Sequence, residues 1–336
     1  MDRRYFLNSL AAGAFSASGL APTQAQSKLT IPIATWGSPS HINIVQFIQP
    51  LEAFLKERTD GRITVQHYPA GQLASDRDVP VAIPTGRIKV AWSTLALWSG
   101  LVPDVGIADA PTGLTMEQLA KATDGENGIK AVLDRAFQSK ASKLLAVTDL
   151  GPTVIVSSKP IVAPSDLKSL RIRVYSEGSA ALFKELGAAP LQIPFGDVYT
   201  SLQRGTIDAA LIGFQGVQSQ RMYEIAKYLL IPASFVGTGL QGYVANLQWW
   251  RSIPDGDRKL VAEGVAKAEA HCRAEIIRDR GNLESDYRSK GMTIVSLDSG
   301  MPEYKAWADA VAPLLAQAEQ KLSKDILAPV YQQMKR

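Results

Sequence analysis

Leu29-Thr30-Ile31-Pro32-Ile33-Ala34, then Trp36-Gly37-Ser38-Pro39-Ser40, then His41 to Glu57 read as strand, turn and helix. Ile44, Phe47, Ile48, Leu51 and Leu55 recur at helical spacing and make one apolar face. Ser38 or Ser40 is the candidate cap for that helix. Working outward, Arg62–Tyr68 alternates as a second strand, and Asp76–Pro84 reads as helical despite its prolines. Ile88–Trp92 is a third strand after a Gly86-Arg87 turn. Strands alternating with helices predict an α/β protein, with a parallel sheet covered by helices on both faces.

The pattern resumes after Pro160, Pro164 and Asp166, which mark a loop and place a second lobe from about residue 150. Thr153–Ser157, Arg171–Val174, Ile207–Ile212 and Gly242–Leu247 read as strands. Ser179–Leu186, Asp197–Arg204 and Val217–Tyr228 read as helices. From Asp255 to Tyr287 a charged helical pattern carries Leu260, Val261, Val265, Ala268, Cys272 and Ile276 along one side. Gly264 and Gly281 weaken it locally. Its length exceeds the usual globular helix and suits a bridge between lobes. Thr293–Leu297 is a late strand, and Glu303–Gln333 is helical with breaks expected at Pro313 and Pro329.

The 336 residues, 46% hydrophobic and 20% charged, are globular in composition. A net charge of +4 is too dilute for a nucleic-acid partner unless it is clustered. Cys272 is the single cysteine, which excludes a disulfide framework and a cysteine-rich metal site. His41, His67 and His271 lie far apart, and no phosphate-loop, dinucleotide, zinc-protease or nucleophile-elbow motif occurs. Residues 1–25 read as an export signal: Arg3-Arg4 ahead of Tyr5-Phe6-Leu7, an apolar small-residue stretch, and cleavage after Thr23-Gln24-Ala25. The paired arginines resemble a twin-arginine signal, departing at Asp2 and Asn8; an ordinary secretory signal is the alternative. Removing Arg3, Arg4 and Asp2 leaves 34 minus 31, a charge of +3. No later run is long and apolar enough to span a bilayer.

Leu170-Arg171-Ile172-Arg173-Val174 is the segment with ligand chemistry. Alternation puts Arg171 and Arg173 on one face of a strand and Ile172 and Val174 on the other. Arg173 stands at the strand's C-terminal edge, ahead of the turn Tyr175 to Ser179 and the next helix, where α/β folds gather ligands. A guanidinium there matches a carboxylate with two parallel hydrogen bonds. The alternatives are a surface arginine on an edge strand, or a pair with Glu177 or Asp197.

Several segments, in order over about 200 residues, resemble the solute-binding proteins of tripartite ATP-independent periplasmic (TRAP) transporters, the DctP-like family. They are Tyr68-Pro69-Ala70-Gly71-Gln72-Leu73 with Pro84 to Ile88, Leu167 to Val174, and Leu186-Gly187-Ala188-Ala189-Pro190 with Phe195 to Asp208. Glu224 to Tyr228, and Asn246 ahead of Trp249 and Pro254, continue the order. The resemblance implies a two-lobed periplasmic-binding-protein fold of type II-like α/β lobes, with the long helix bridging them. Lobe I would span 26–150 plus 239–278, and lobe II 151–238 plus 279–336. It implies an exported, monomeric, non-enzymatic protein that closes on a small organic acid and delivers it to membrane permease subunits. Arg173 would hold the ligand carboxylate. Trp36, His41, Trp92, Phe214, Tyr175, Gln215 and Asn246 are the other candidate ligand-binding residues. No cofactor or protein metal site is expected, although a divalent or sodium ion at the ligand carboxylate stays open. The sequence departs from the family with Ala209-Ala210-Leu211-Ile212-Gly213-Phe214 where polar residues are frequent, and with Gly151-Pro152-Thr153 near where a second arginine is common. That disfavours a polyhydroxylated, sialic-acid-like ligand and favours a small monocarboxylate or a more apolar organic acid. An exported hydrolase or lyase, and a periplasmic sensory protein, are the competing classes.

Overall fold

A computed structural model describes residues 27–149 and 152–334; the expected export segment and Gly151 lie outside them. Its strands are β1 (Leu29–Thr35), β2 (Ile63–Tyr68), β3 (Val90–Thr94), β4 (Ser142–Asp149), β5 (Thr153–Ser157), β6 (Arg171–Val174), β7 (Ala189–Gln192), β8 (Ala209–Gly213), β9 (Tyr228–Ile231), β10 (Gln241–Asn246) and β11 (Thr293–Ser296). Its helices are α1 (Ile42–Thr59), α2 (Val79–Ala82), α3 (Met116–Thr123), α4 (Ile129–Gln138), α5 (Glu177–Glu185), α6 (Val198–Gln203), α7 (Phe214–Ser219), α8 (Leu247–Ser252), α9 (Asp255–Ser289), α10 (Pro302–Glu319) and α11 (Lys324–Met334).

The strands form two sheets, ordered β2-β1-β3-β10-β4 in lobe I and β11-β9-β5-β8-β6-β7 in lobe II. The two-lobed α/β architecture with a bridging helix is therefore present. The sheets are mixed, however, where a parallel sheet was expected. β10 runs antiparallel to β3 and β4, and β5 runs antiparallel to β8 and β9. The reason is connectivity. β5 and β10 each enter a lobe from the cleft side, so they run against strands whose C-terminal ends face the cleft.

The periodic residues of α1 behave as their spacing requires: Ile44, Phe47, Ile48, Leu51 and Leu55 are all buried. α1 packs against α9, a single 35-residue helix about 52 Å long. Gly264 does not break α9. A Cβ there would lie 2.7 Å from Phe54 and 3.0 Å from Leu51 of α1, so glycine lets the two helices approach. Val261, Val265, Ala268, Cys272 and Ile276 enter the lobe I core, and Tyr287 enters the lobe II core. Buried Glu269 pins the middle of α9, accepting from the Val147 amide at 2.9 Å, from Arg273 at 2.7 Å and from Lys130.

Four further expectations change. Helix does not run from Val217 to Tyr228: α7 stops at Ser219, Arg221 turns left-handed at φ 53°, and apolar Tyr228–Ile231 joins the sheet as β9. Pro313 and Pro329 sit inside α10 and α11, and the break falls between them at 320–323. A proline forfeits one intrahelical bond, and the buried faces carrying Trp307 and Val311, and Ile326 and Val330, hold these helices together. The 279–336 segment does not belong wholly to lobe II, because α11 packs on α3 and α4 with Ile326, Leu327 and Val330 in a lobe I core.

Phe214 is the fourth. It is 1% exposed in the lobe II core, its ring edge-on to Tyr287 at 5.3 Å, and its carbonyl accepts from the Tyr287 hydroxyl at 3.0 Å. Phe214 opens helix α7 facing the lobe II core, and Gln215, the next residue, lines the cleft instead. Phe214→Ala should cost about 3–5 kcal/mol of stability, read as a lowered urea midpoint. An unchanged midpoint would contradict its place in the core.

Candidate functional site

The turns that follow β1, β3, β6 and β8 converge on the groove between the lobes, the usual ligand crevice of such sheets. A cavity of about 260 Å³ lies there, walled by both lobes. Lobe I presents Trp36, His41, Asp76, Arg77 and Gln241. Lobe II presents Thr153, Arg173, Tyr175, Phe195 and Gln215.

Arg173 is 4% exposed. β6 lies between β7 and β8, and the guanidinium reaches the chain on both sides: Nε donates to the Ile193 carbonyl at 2.9 Å and Nη1 to the Leu211 carbonyl at 2.8 Å. Both partners are neutral. Among the described residues no carboxylate pairs with it, Glu177 and Asp197 included. Arg171, two residues earlier, takes Asp208 at 2.8 Å on the exposed side. Burial lowers the Arg173 pKa to about 10, which leaves it charged at neutral pH. The Tyr175 ring centre lies 5.9 Å from its central carbon.

The aromatic wall has two layers. Trp36 lines the cavity, stacks on Trp92 at 4.6 Å and meets Phe195 of lobe II edge-on at 4.7 Å. Trp92 is fully buried beneath it, donating from Nε1 to Thr148 at 3.2 Å, so it supports the wall and does not line it. His41, not Ser38 or Ser40, caps α1: its Nδ1 accepts from the Asn43 amide at 3.3 Å. Burial lowers the His41 pKa to about 4, so the ring is neutral at pH 7 with its proton on Nε2. Asn246 is also a cap. Its Oδ1 accepts from the Trp249 amide at 2.8 Å and its Nδ2 donates to the Ile83 carbonyl at 2.9 Å, away from the cavity wall. Arg173, Tyr175, Gln215, Trp36 and His41 thus share one cavity, whereas Trp92, Phe214 and Asn246 do not.

Four buried polar atoms without a hydrogen-bond partner lie on this wall: Trp36 Nε1, Thr153 Oγ1, Gln215 Oε1 and Gln241 Oε1. An unmade hydrogen bond on a buried group costs about 1–3 kcal/mol. Their clustering at one cavity fits a polar ligand. Asp76 faces the same space. Its Oδ1 accepts from the Thr94 amide at 3.2 Å and the Ser93 hydroxyl at 3.1 Å. Burial pushes its pKa up to about 6, against these bonds and the nearby Arg173 charge.

Asp109 of lobe I joins the lobes by accepting from the Ser176 hydroxyl, the cap of α5, at 2.8 and 2.9 Å. Burial pushes Asp109 up to about 7, although the Ser176 bond favours its ionised form.

Asp76, Arg77, Thr153, Phe195 and Gln241 were not singled out from sequence. Asp76 lies in the segment after β2, as Trp36 follows β1, and that position was a usable signal. Thr153 and Gln241 open strands that enter from the cleft, which nothing local marks.

Residues 34–321 match the family model for bacterial extracellular solute-binding protein, family 7 (DctP). The chain is 27% identical to the C4-dicarboxylate-binding periplasmic protein DctP of Rhodobacter capsulatus, over 83% of each chain. It is 31% identical to the 2,3-diketo-L-gulonate-binding periplasmic protein YiaO of Escherichia coli (strain K12), over 63% of this chain and 69% of that protein. Its fold is similar to that of a TRAP periplasmic solute-binding protein from Shewanella oneidensis with bound succinate. There the TM-score is 0.83 and the identity 22%, over 91% of this chain and 99% of the other. A family match that runs through both lobes and the cleft between them shows that this chain belongs to family 7 of the bacterial extracellular solute-binding proteins, the DctP family.

Proposed function

We propose that this protein captures a small organic acid anion between its lobes and delivers it to the membrane subunits of a TRAP transporter. The observation that carries the reading is Arg173: a charged, nearly fully buried guanidinium that donates to the neutral carbonyls of Ile193 and Leu211 and faces a cavity. A buried charge without a counter-ion is costly, and a ligand carboxylate supplies the missing one. Trp36, Phe195 and Ile193 offer apolar contact for the rest of the molecule.

Capture works by differential affinity. Trp36–Phe195 and Asp109–Ser176 both cross the groove, so a ligand touching both walls favours the closed arrangement over an open one. The closed form is the one a permease would recognise. The protein acts as an exported monomer, reaching the periplasm by the twin-arginine route. No chemistry is assigned to the site. His41 is the one histidine on the wall among the described residues, and it is neutral and occupied as a cap. A resident cation fits poorly, since Arg173 and Arg77 put positive charge on the same cavity.

The test is mass spectrometry of what the purified protein releases on denaturation, followed by thermal-shift titration with the acid found. The expected result is a small carboxylate, recovered unchanged, that raises the melting temperature. Release of a neutral or cationic compound, or turnover of the acid, would defeat the reading.

A further inference from the structure

Asp76 is the feature that the capture of an anion leaves unexplained. A carboxylate on the wall of an anion site repels the ligand unless the ligand offers it something. Asp76 Oδ1 already receives the Thr94 amide and the Ser93 hydroxyl. An ionised carboxylate has about four acceptor sites, so there is capacity for one more donor. Asp76 and Arg173 influence each other electrostatically yet form no ion pair. Both line the cavity, Asp76 from lobe I and Arg173 from lobe II.

Charge bookkeeping at the wall points the same way. Arg173 and Arg77, the latter solvent-exposed, are two guanidiniums against the one carboxylate of Asp76, which leaves at most one net positive charge, and His41 is neutral. One net charge matches a monoanion. A dicarboxylate would overfill it and place its second carboxylate against Asp76. The remaining acceptors, Gln215 Oε1 and Gln241 Oε1, also call for donors.

Resting on the organic-acid reading above, we infer that Asp76 determines specificity by accepting a hydrogen bond from a ligand hydroxyl, selecting monoanionic hydroxycarboxylates over deoxy acids and dicarboxylates. The carboxylate sits on Arg173, the hydroxyl on Asp76, and the apolar remainder against Trp36 and Phe195.

The experiment is calorimetric titration of the full chain, and of its Asp76→Asn and Asp76→Ala variants, at pH 8. The probes are 2- and 3-hydroxy monocarboxylates of four to six carbons, their deoxy counterparts, succinate and glutarate. The unmodified protein should prefer at least one hydroxy acid to its deoxy counterpart by about tenfold or more, because a site built for a hydroxyl rejects the analogue lacking it. Asp76→Ala should cut that preference to about threefold or less while the deoxy acid binds at least as tightly as before, and Asp76→Asn should strengthen dicarboxylate binding (about tenfold) once the repulsion is gone. A preference that survives Asp76→Ala overturns the inference alone, provided Arg173→Ala still removes binding. Tighter binding of succinate or glutarate than of every hydroxy acid by the unmodified protein also overturns it. Failure of every probe to bind the unmodified protein overturns the organic-acid reading with it. Circular dichroism on each variant reports folding, and the isosteric Asn keeps the test valid where Ala disturbs the loop.

Discussion

Arg173→Ala should abolish organic-acid binding, with the dissociation constant rising about 30-fold to several thousandfold, because truncating one partner of a buried charge pair costs about 2–5 kcal/mol. The folded apoprotein should not suffer in proportion. Alanine removes a charge that is buried with neutral carbonyl partners, so the penalty of its burial disappears along with two hydrogen bonds. Affinity and stability therefore part company at this position, which a merely structural arginine would not allow. Arg173→Lys should fall in between, since a single ammonium cannot hold both flanking carbonyls and a carboxylate in a planar fork. Titration calorimetry and urea unfolding on the same preparations separate the two effects. Undiminished affinity in Arg173→Ala would remove the anion-site reading altogether.

The second large effect is expected far from any ligand atom. Gly178 lies in the first turn of α5, directly against Asp109 of the opposite lobe. A Cβ built there would fall 2.3 Å from Asp109 Oδ2 and 2.8 Å from its Cβ and Cγ. Neither lobe can yield easily, because Asp109 is bonded to the Ser176 hydroxyl that caps the same helix. Gly178→Ala should leave each lobe folded, since alanine in a helix is favoured over glycine by about 1 kcal/mol. It should nevertheless hold the groove open. If the closed population drops tenfold, apparent affinity drops about tenfold with it. Adding Asp109→Gly, which deletes the clashing atoms, should restore part of the loss, and the double-mutant cycle measures the coupling. Small-angle scattering with saturating ligand gives the direct reading. A Gly178→Ala protein that closes as tightly as the original would show that Asp109 and Gly178 do not meet when ligand is bound.

Most of the architecture is readable from local pattern. The face of α1, the length of α9 and the strand carrying Arg173 all follow from spacing, because burial of one face imposes a 3.6- or 2-residue period on the chain. Burial alone does not say which cavity a buried aromatic faces. Trp36 and Trp92 look alike in sequence, one at the cleft and the other a layer beneath. Phe214 and Gln215 are adjacent in the first turn of α7, and both are candidates by sequence, but only Gln215 lines the cavity while Phe214 packs in the core. Asn246 and His41 both cap helices, but only His41 does so at the groove.

What the chain order determined on its own was a pair of α/β lobes, a bridging helix and an arginine at a strand's C-terminal edge. These depend on interactions between residues close in sequence. The direction of β5 and β10, the return of α11 to lobe I, and the meeting of Asp76 with Arg173 were settled only by the tertiary structure. Each depends on where the chain crosses between lobes, and a crossing leaves no local period to read. The cavity is the sharpest case, since its two charged walls lie about a hundred residues apart and face each other only after both sheets have formed.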